Sequence, residues 1–254
     1  MFDFARAPLL KMWASAVNFL TGRLSSPFVG QKLAQLAFLV LTIGTLWTLT
    51  LTPVDDYPRR YIISGLTAQN RNPDGYRILA TTLIAVALIM VPLPGFLARQ
   101  HPGPPWKRTL GWVTFMAGLG GLALVGLERG FFPALGSWWR HAHLVWTFLA
   151  FGGWWFGTMW FLIGIPRNAD ARPGRATEYF CHGFMVFGAL AYLALEGFRS
   201  NAFGWSPTFP SSLSWLGSFT FWQWGMVFCL FVLSLIVARR AGDLAEAKGS
   251  RLPD

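Results

Sequence analysis

The sequence predicts an all-α polytopic membrane protein: six transmembrane helices in one bundle, preceded by an N-terminal amphipathic helix at the membrane interface. Three observations predict it. Six long runs, 33–54, 78–98, 109–127, 141–166, 179–195 and 214–238, contain no Asp, Glu, Lys or Arg. Each is near the roughly 20 apolar residues that a helix rising 1.5 Å per residue needs to cross about 30 Å of hydrocarbon. The 254 residues are 54% hydrophobic and only 13% charged, with a mean hydropathy of +0.42, too apolar for a water-soluble domain of this length. The charged side chains fall between the runs, and Lys and Arg favour one side of the resulting topology by 14 to 7. That bias places both termini in the cytoplasm.

Taken in order, residues 1–32 form a cytoplasmic N-terminal segment. Leu9, Trp13, Val17, Leu20 and Leu24 recur at helical spacing, interrupted by Lys11 and Arg23, which predicts a helix lying on the membrane surface; the same stripe would also serve to pack on another protein. Lys11 breaks the early apolar run, so no cleavable signal peptide is expected. After the first span, the outer loop 55–77 holds Pro58, Asn70, Asn72, Pro73 and Gly75 and should consist of structured turns. The second span ends in Val91-Pro92-Leu93-Pro94-Gly95, where two prolines remove backbone donors and should kink or stop the helix. Residues 101–105 then reverse the chain.

Spans three and four are rich in small residues, with Gly118, Gly120, Gly121 and Gly126 in one and Gly152, Gly153 and Gly157 in the other. Gly153 and Gly157, four apart, predict a close helix–helix approach. The outer loop 201–212 is rich in Pro and Ser. Beyond the sixth span the polar tail should be solvated, with 241–248 continuing the last helix. The chain thus divides into a cytoplasmic segment (1–32), a six-helix domain (33–238) and a cytoplasmic tail (239–254).

The net charge of +10 is spread over several loops without a dense patch, which argues against nucleic acid and for anionic lipid at the inner rim. The expected location is the cytoplasmic (inner) membrane of a prokaryote. Trp138, Trp139, Trp154, Trp155 and Trp205 are expected at headgroup level, facing lipid. Cys181 and Cys229 should be unbonded, small apolar residues.

Ionisable groups near spans are costly and mark the first place to look for function. At the outer face stand Asp55, Asp56, Asp74, Arg77, Glu128, Arg140, His141, His143 and Glu196. Glu128 and Glu196 close the outward-running third and fifth spans, where the helix dipole disfavours a carboxylate. Pairing with Arg129 or Arg140, and with Arg199, is the simplest compensation. The alternative is a polar pocket, with Asp55, Asp74, Arg77, Arg140, His141 and His143 as ligand-binding candidates, or an acid/base set of Glu128, His143 and Glu196. His141 and His143 lie about 200° apart on a helix, so no metal site is expected. A single histidine donating a hydrogen bond to Glu128 or to a loop carboxylate fits better. His182, at the cytoplasmic end of the fifth span, is expected to be hydrogen-bonded, with ligation of a haem or chlorophyll in a larger assembly as the alternative. No GxSxG, Walker, HExxH or CxxC motif occurs, and no cofactor is required. The spans hold few polar residues (Thr45, Thr48, Thr81, Thr82, Thr114, Thr147, Ser218 and Gln223), which argues against a pore.

The order of short motifs resembles a known group. Tyr61-Ile62-Ile63-Ser64-Gly65-Leu66 follows the first span, and Asn72-Pro73-Asp74-Gly75-Tyr76-Arg77 precedes the second. Gly130-Phe131-Phe132-Pro133 follows a Gly-rich third span, and His141 or His143 opens the fourth above Phe148 and Gly152-Gly153. The pattern, over 33–238, resembles the Frag/DRAM/Sfk superfamily of six-span membrane proteins and a related prokaryotic membrane domain of unknown function. The resemblance implies lipid organisation, lipid-anchor remodelling or membrane signalling, with Ser64, Gly65, Pro73, Pro133 and the outer histidine as the matching positions. Gly65 stands where such proteins often carry an acidic residue, and Gln223-Trp224 where an acidic-Trp pair is usual, which weighs against catalysis.

Three functions remain open. The first is a non-catalytic protein that binds membrane lipid or docks protein partners through an outer pocket and apolar helix faces. The others are an accessory subunit of a respiratory or photosynthetic complex, and a lipid-modifying enzyme.

Overall fold

The computed structural model describes residues 14–15, 17–19, 21–23, 32–52, 63–132, 142–166, 175–199 and 216–249. Among these every regular element is helical. In chain order they are α1 (Leu33–Thr50), α2 (Ile63–Leu66), α3 (Tyr76–Met90), α4 (Pro92–Gln100), α5 (Pro105–Gly130), α6 (Ala142–Phe148), a π-helical turn (Leu149–Gly153), α7 (Trp154–Gly164), α8 (Arg175–Arg199) and α9 (Phe219–Gly249). Among the described residues, five helical stretches are long and apolar enough to cross a bilayer: α1, α3 with α4, α5, α8 and α9. Residues 142–164 are also helical without interruption, but the π turn divides them.

Local chemistry sets the boundaries. Pro92 removes the donor that would continue α3, and Pro94 repeats the loss, so Val91 forms a turn and a new helix starts with proline in its first turn. Pro105 likewise opens α5. Near the N-terminus, residues 17–19 are helical and end in a Schellman motif: Gly22, at φ 64°, donates to the Phe19 carbonyl and Arg23 N–H to the Asn18 carbonyl. Arg99 of α4 donates to the Thr21 and Gly22 carbonyls, tying this helix end to the bundle. Gly95 and Gly22 admit the contact, since a Cβ on Gly95 would stand 2.6 Å from the Thr21 carbonyl oxygen.

The helix α5 is the hub, packing on α3, α4, α6, the π turn and α7. Its glycines meet those of the following helix as their spacing predicts. A Cβ on Gly153 would lie 2.6 Å from the Gly118 nitrogen, and one on Gly157 2.6 Å from Phe115 Cα. Since lipid tails are as apolar as the helices, close packing of this kind, rather than burial from water, holds such an interface. At the far side, α8 packs chiefly on α9. Only 17% of its apolar window is buried, against 67% for α3 with α4, so α8 is peripheral.

Several expectations are corrected. Trp154 faces the bundle interior, not the headgroups: it is 3% exposed, donates to Ser234 Oγ at 2.8 Å and packs between Phe115 and Phe231. The helical continuation over 241–248 is present, but its beginning is not solvated, because Arg240 and Ala241 are buried. Cys181 and Cys229 are free and buried as expected, yet their thiols face each other across the α8–α9 interface. Trp138, Trp139, Trp205 and the loop 201–212 lie outside the described residues.

Candidate functional site

At one end of the bundle, the C-terminus of α5 meets the start of α6. Gly126 and Gly130 pack on Ala80 of α3, which brings the turn before α3, with Asp74, to the same end. Glu128 is buried at 3% exposure. Arg129 Nε stands 3.8 Å from its Oε1, and His143 Nδ1 3.7 Å from its Oε2. Both separations exceed hydrogen-bond length. Among the described residues only two buried side-chain polar atoms lack a hydrogen-bond partner, and Glu128 Oε2 is one, with Thr45 Oγ1 the other.

Arg129 Nε donates instead to His143 Nδ1 at 3.2 Å. A guanidinium can only donate, so Nδ1 carries the lone pair and a neutral His143 holds its proton on Nε2. The expected histidine hydrogen bond to Glu128 is therefore corrected: the two residues are neighbours, but the nitrogen facing the carboxylate is an acceptor.

Below this cluster lies a small, partly open cavity of about 40 Å³. Leu122 and Val125 of α5 line it, and Glu128 stands one turn further along the same helix face. Leu83, Trp154, Leu230 and Phe231 add to an almost wholly apolar wall, and the polar lining residues are His143, Thr147 and Gln223. Thr147 donates to the His143 carbonyl at 2.8 Å. Gln223 Oε1 accepts from the Ile63 N–H at 2.7 Å, which anchors α2 to α9 and leaves the amide NH2 as a donor. Sequence reading noted Gln223 as one of the few polar span residues and as a departure from a family pattern, but not this bond, because its partner lies 160 residues away.

Among the described residues, the other candidates stand apart from this cluster on the surface. Asp74 is exposed, and Arg77, also exposed, lies over the Tyr76 ring at 5.5 Å. Glu196 is exposed on α8. Asp55, Asp56, Arg140 and His141 lie outside the described residues, as does Pro133. Among the described residues no group of three His, Cys, Asp or Glu side chains could hold a metal ion. Thr48, Thr82, Thr114 and Thr147 each donate to a carbonyl of their own helix four residues back, so these hydroxyls serve the backbone.

The opposite end carries a second ionic cluster, of a buried arginine and a partly buried glutamate, that sequence reading did not anticipate. Arg240 of α9 donates to Glu178 of α8 and, at 3.4 Å, to the Leu162 carbonyl of α7. Nearby, His182 accepts from Trp155 Nε1 at 3.0 Å, as its expected hydrogen bonding required. His101, 4% exposed, accepts from the Gly103 N–H at 2.9 Å and packs against Gly164. Burial first, and then Arg108 and Lys107, hold its pKa below the usual value of 6.5.

No family model matches the chain, and neither a curated protein nor a solved structure shows significant similarity to it.

Proposed function

We propose that this is an integral membrane protein of six spans that binds an amphiphile without transforming it, holding the apolar chain in the central cavity and the polar head beside His143. The fourth span in this reading is the continuous helical stretch 142–164, whose π turn keeps it from being one α-helix. The observation that carries the proposal is the cavity: an apolar wall that ends in His143, Thr147 and Gln223, next to a buried Glu128. A pocket with few polar groups at one end is what orients a ligand with one polar and one apolar part. The resemblance to lipid-organising six-span proteins points the same way. The bias of basic residues suits anionic lipid at the other rim, with both termini cytoplasmic, and the exposed Phe180 and Phe187 of α8 offer a face for lipid or partner proteins.

The test is to purify the protein from membranes and count retained amphiphiles by native mass spectrometry. Wild type is expected to retain one, and Val227→Phe, which fills the cavity from α9, to lose it. Equal retention by the two proteins overturns the proposal.

A second reading, an enzyme acting on lipid headgroups, is favoured by the 3.7 Å approach of Glu128 and His143. It lacks a relay, because Arg129 occupies the histidine nitrogen nearest the carboxylate.

A further inference from the structure

At the end of the bundle opposite Glu128, α5 begins with two adjacent cations, Lys107 and Arg108, and no acidic residue in its first turn. Among the described residues the ion-paired carboxylates are Glu128 and Glu178, so neither cation meets a counter-charge there. Both are nevertheless held in place. Arg108 Nε donates to the Gly103 carbonyl at 2.9 Å, which fixes the guanidinium and leaves its two terminal nitrogens to donate side by side, the geometry that suits a phosphate. Lys107 Nζ lies over the Trp106 ring at 5.4 Å, and the Lys107 carbonyl accepts from Trp160 Nε1 of α7 at 2.9 Å. Fixed donors without an internal acceptor suit an external one.

The surface beside the two cations says what that acceptor is attached to. Trp106, Leu110 and Val113 recur at i, i+4 and i+7, on one face of α5, and all three are exposed. This face starts at the cations and runs into a helix long and apolar enough to cross a bilayer. The rings of Trp106 and Trp160 stand 6.4 Å apart at its mouth, where indoles mark headgroup level. Charge and apolar surface thus adjoin in the order in which a phospholipid carries them.

We propose that the start of α5 binds an anionic phospholipid, its phosphate on Lys107 and Arg108 and an acyl chain along the Trp106–Val113 face. A zwitterionic head would bring a cation of its own beside two others, which leaves a head of net negative charge as the partner. The proposal rests on the reading that the basic rim meets anionic lipid and narrows it from a rim to one site. It makes no use of the central cavity. Lying on an exposed face, this lipid exchanges with its surroundings, so it is measured by titration rather than by retention.

The full chain in neutral detergent is titrated with phosphatidylglycerol or with phosphatidylcholine of the same acyl chains, and bound lipid is counted by native mass spectrometry. Wild type should prefer phosphatidylglycerol. Lys107→Gln with Arg108→Gln should weaken its binding about thirtyfold, at roughly fivefold per cation near an anionic surface, and leave phosphatidylcholine unchanged. Arg175→Gln with Arg239→Gln removes equal charge from the same end, beside the Arg240–Glu178 pair, and should change the preference by less than about threefold because exposed charges are screened over distance. Equal binding of the two lipids by wild type overturns the site and the anionic-rim reading together. Equal losses in the two double variants overturn the site alone and return the preference to the rim as a whole. Displacement of the lipid by free glycerol phosphate at matching concentration overturns it in favour of a soluble phosphate. The wild-type comparison stands even if a variant fails to fold.

Discussion

Two ionic clusters, each with one buried and one partly exposed partner, stand at opposite ends of the bundle, and they are built differently. At one end Arg240 donates both to Glu178 and to a backbone carbonyl, joining α7, α8 and α9. At the other, Glu128 is approached by Arg129 and His143 only to 3.8 and 3.7 Å, and one carboxylate oxygen has no hydrogen-bond partner. The first cluster closes on itself. The second leaves one carboxylate oxygen unmet. A buried pair with its donors engaged contributes to holding the fold, whereas an unmet buried acceptor marks a place where folding energy has been forgone.

The largest effect should come from breaking the closed cluster. Arg240→Ala strands Glu178 without its cation and should cost about 3–5 kcal/mol in thermal unfolding in detergent. Joint replacement by Arg240→Met and Glu178→Leu should recover most of the loss, because apolar side chains of similar volume need no partner. If the single substitution is silent, the contrast between the ends fails.

Between the two clusters lies the glycine seam. Gly153→Leu would drive a side chain into the Gly118 backbone, which both the Cβ geometry and the packing of α5 forbid without a shift. A loss of about 1–3 kcal/mol in the same measurement is expected, and no loss would show that the seam is looser than described.

A smaller effect tests the closed end by pH. His101 in the folded protein takes its proton at lower pH than in the unfolded chain, since burial, Arg108 and Lys107 all oppose the charge. As pH falls below about 6.5, the unfolded chain binds the proton first, so stability should decline from there down to the folded pKa. His101→Gln should flatten that slope in melting curves recorded between neutral and acidic pH. An unchanged slope would assign it to other groups.

The smallest expected effect is at the open end. Glu128→Gln removes a charge that Arg129 and His143 approach only beyond hydrogen-bond length, and its stability should stay within about 1 kcal/mol of wild type. A loss as large as that of Arg240→Ala would make Glu128 a structural anchor and erase the difference between the two clusters.

The apolar helices were legible because hydrocarbon-length runs without charge are read directly from composition, and the Val91–Pro94 break because proline acts locally. The meeting of Glu128 and His143 was partly legible, since each closes or opens a neighbouring span at the same end. The grouping of Glu196 with them was not supported, because end-of-helix position says nothing about which helices are neighbours, and α8 sits at the periphery. The pairing of Arg240 with Glu178 was illegible for the same reason: the partners are 62 residues apart, and only the register of α8 on α9 brings them together. Trp154 was misread because an aromatic residue in a span carries no sign of whether it faces lipid or protein.

The π turn at Leu149–Gly153 has a rotational consequence. A π turn amounts to one extra residue wound into a helix, and each α-helical residue advances the chain by about 100°. Deleting Gly152, beside which an added Cβ would meet nothing within 4 Å, would let the stretch rewind as plain α-helix. Trp154 and Gly157 would keep their seats against α5, while His143 would swing about a quarter turn away from Arg129. One surplus residue thus phases two halves of the same rod.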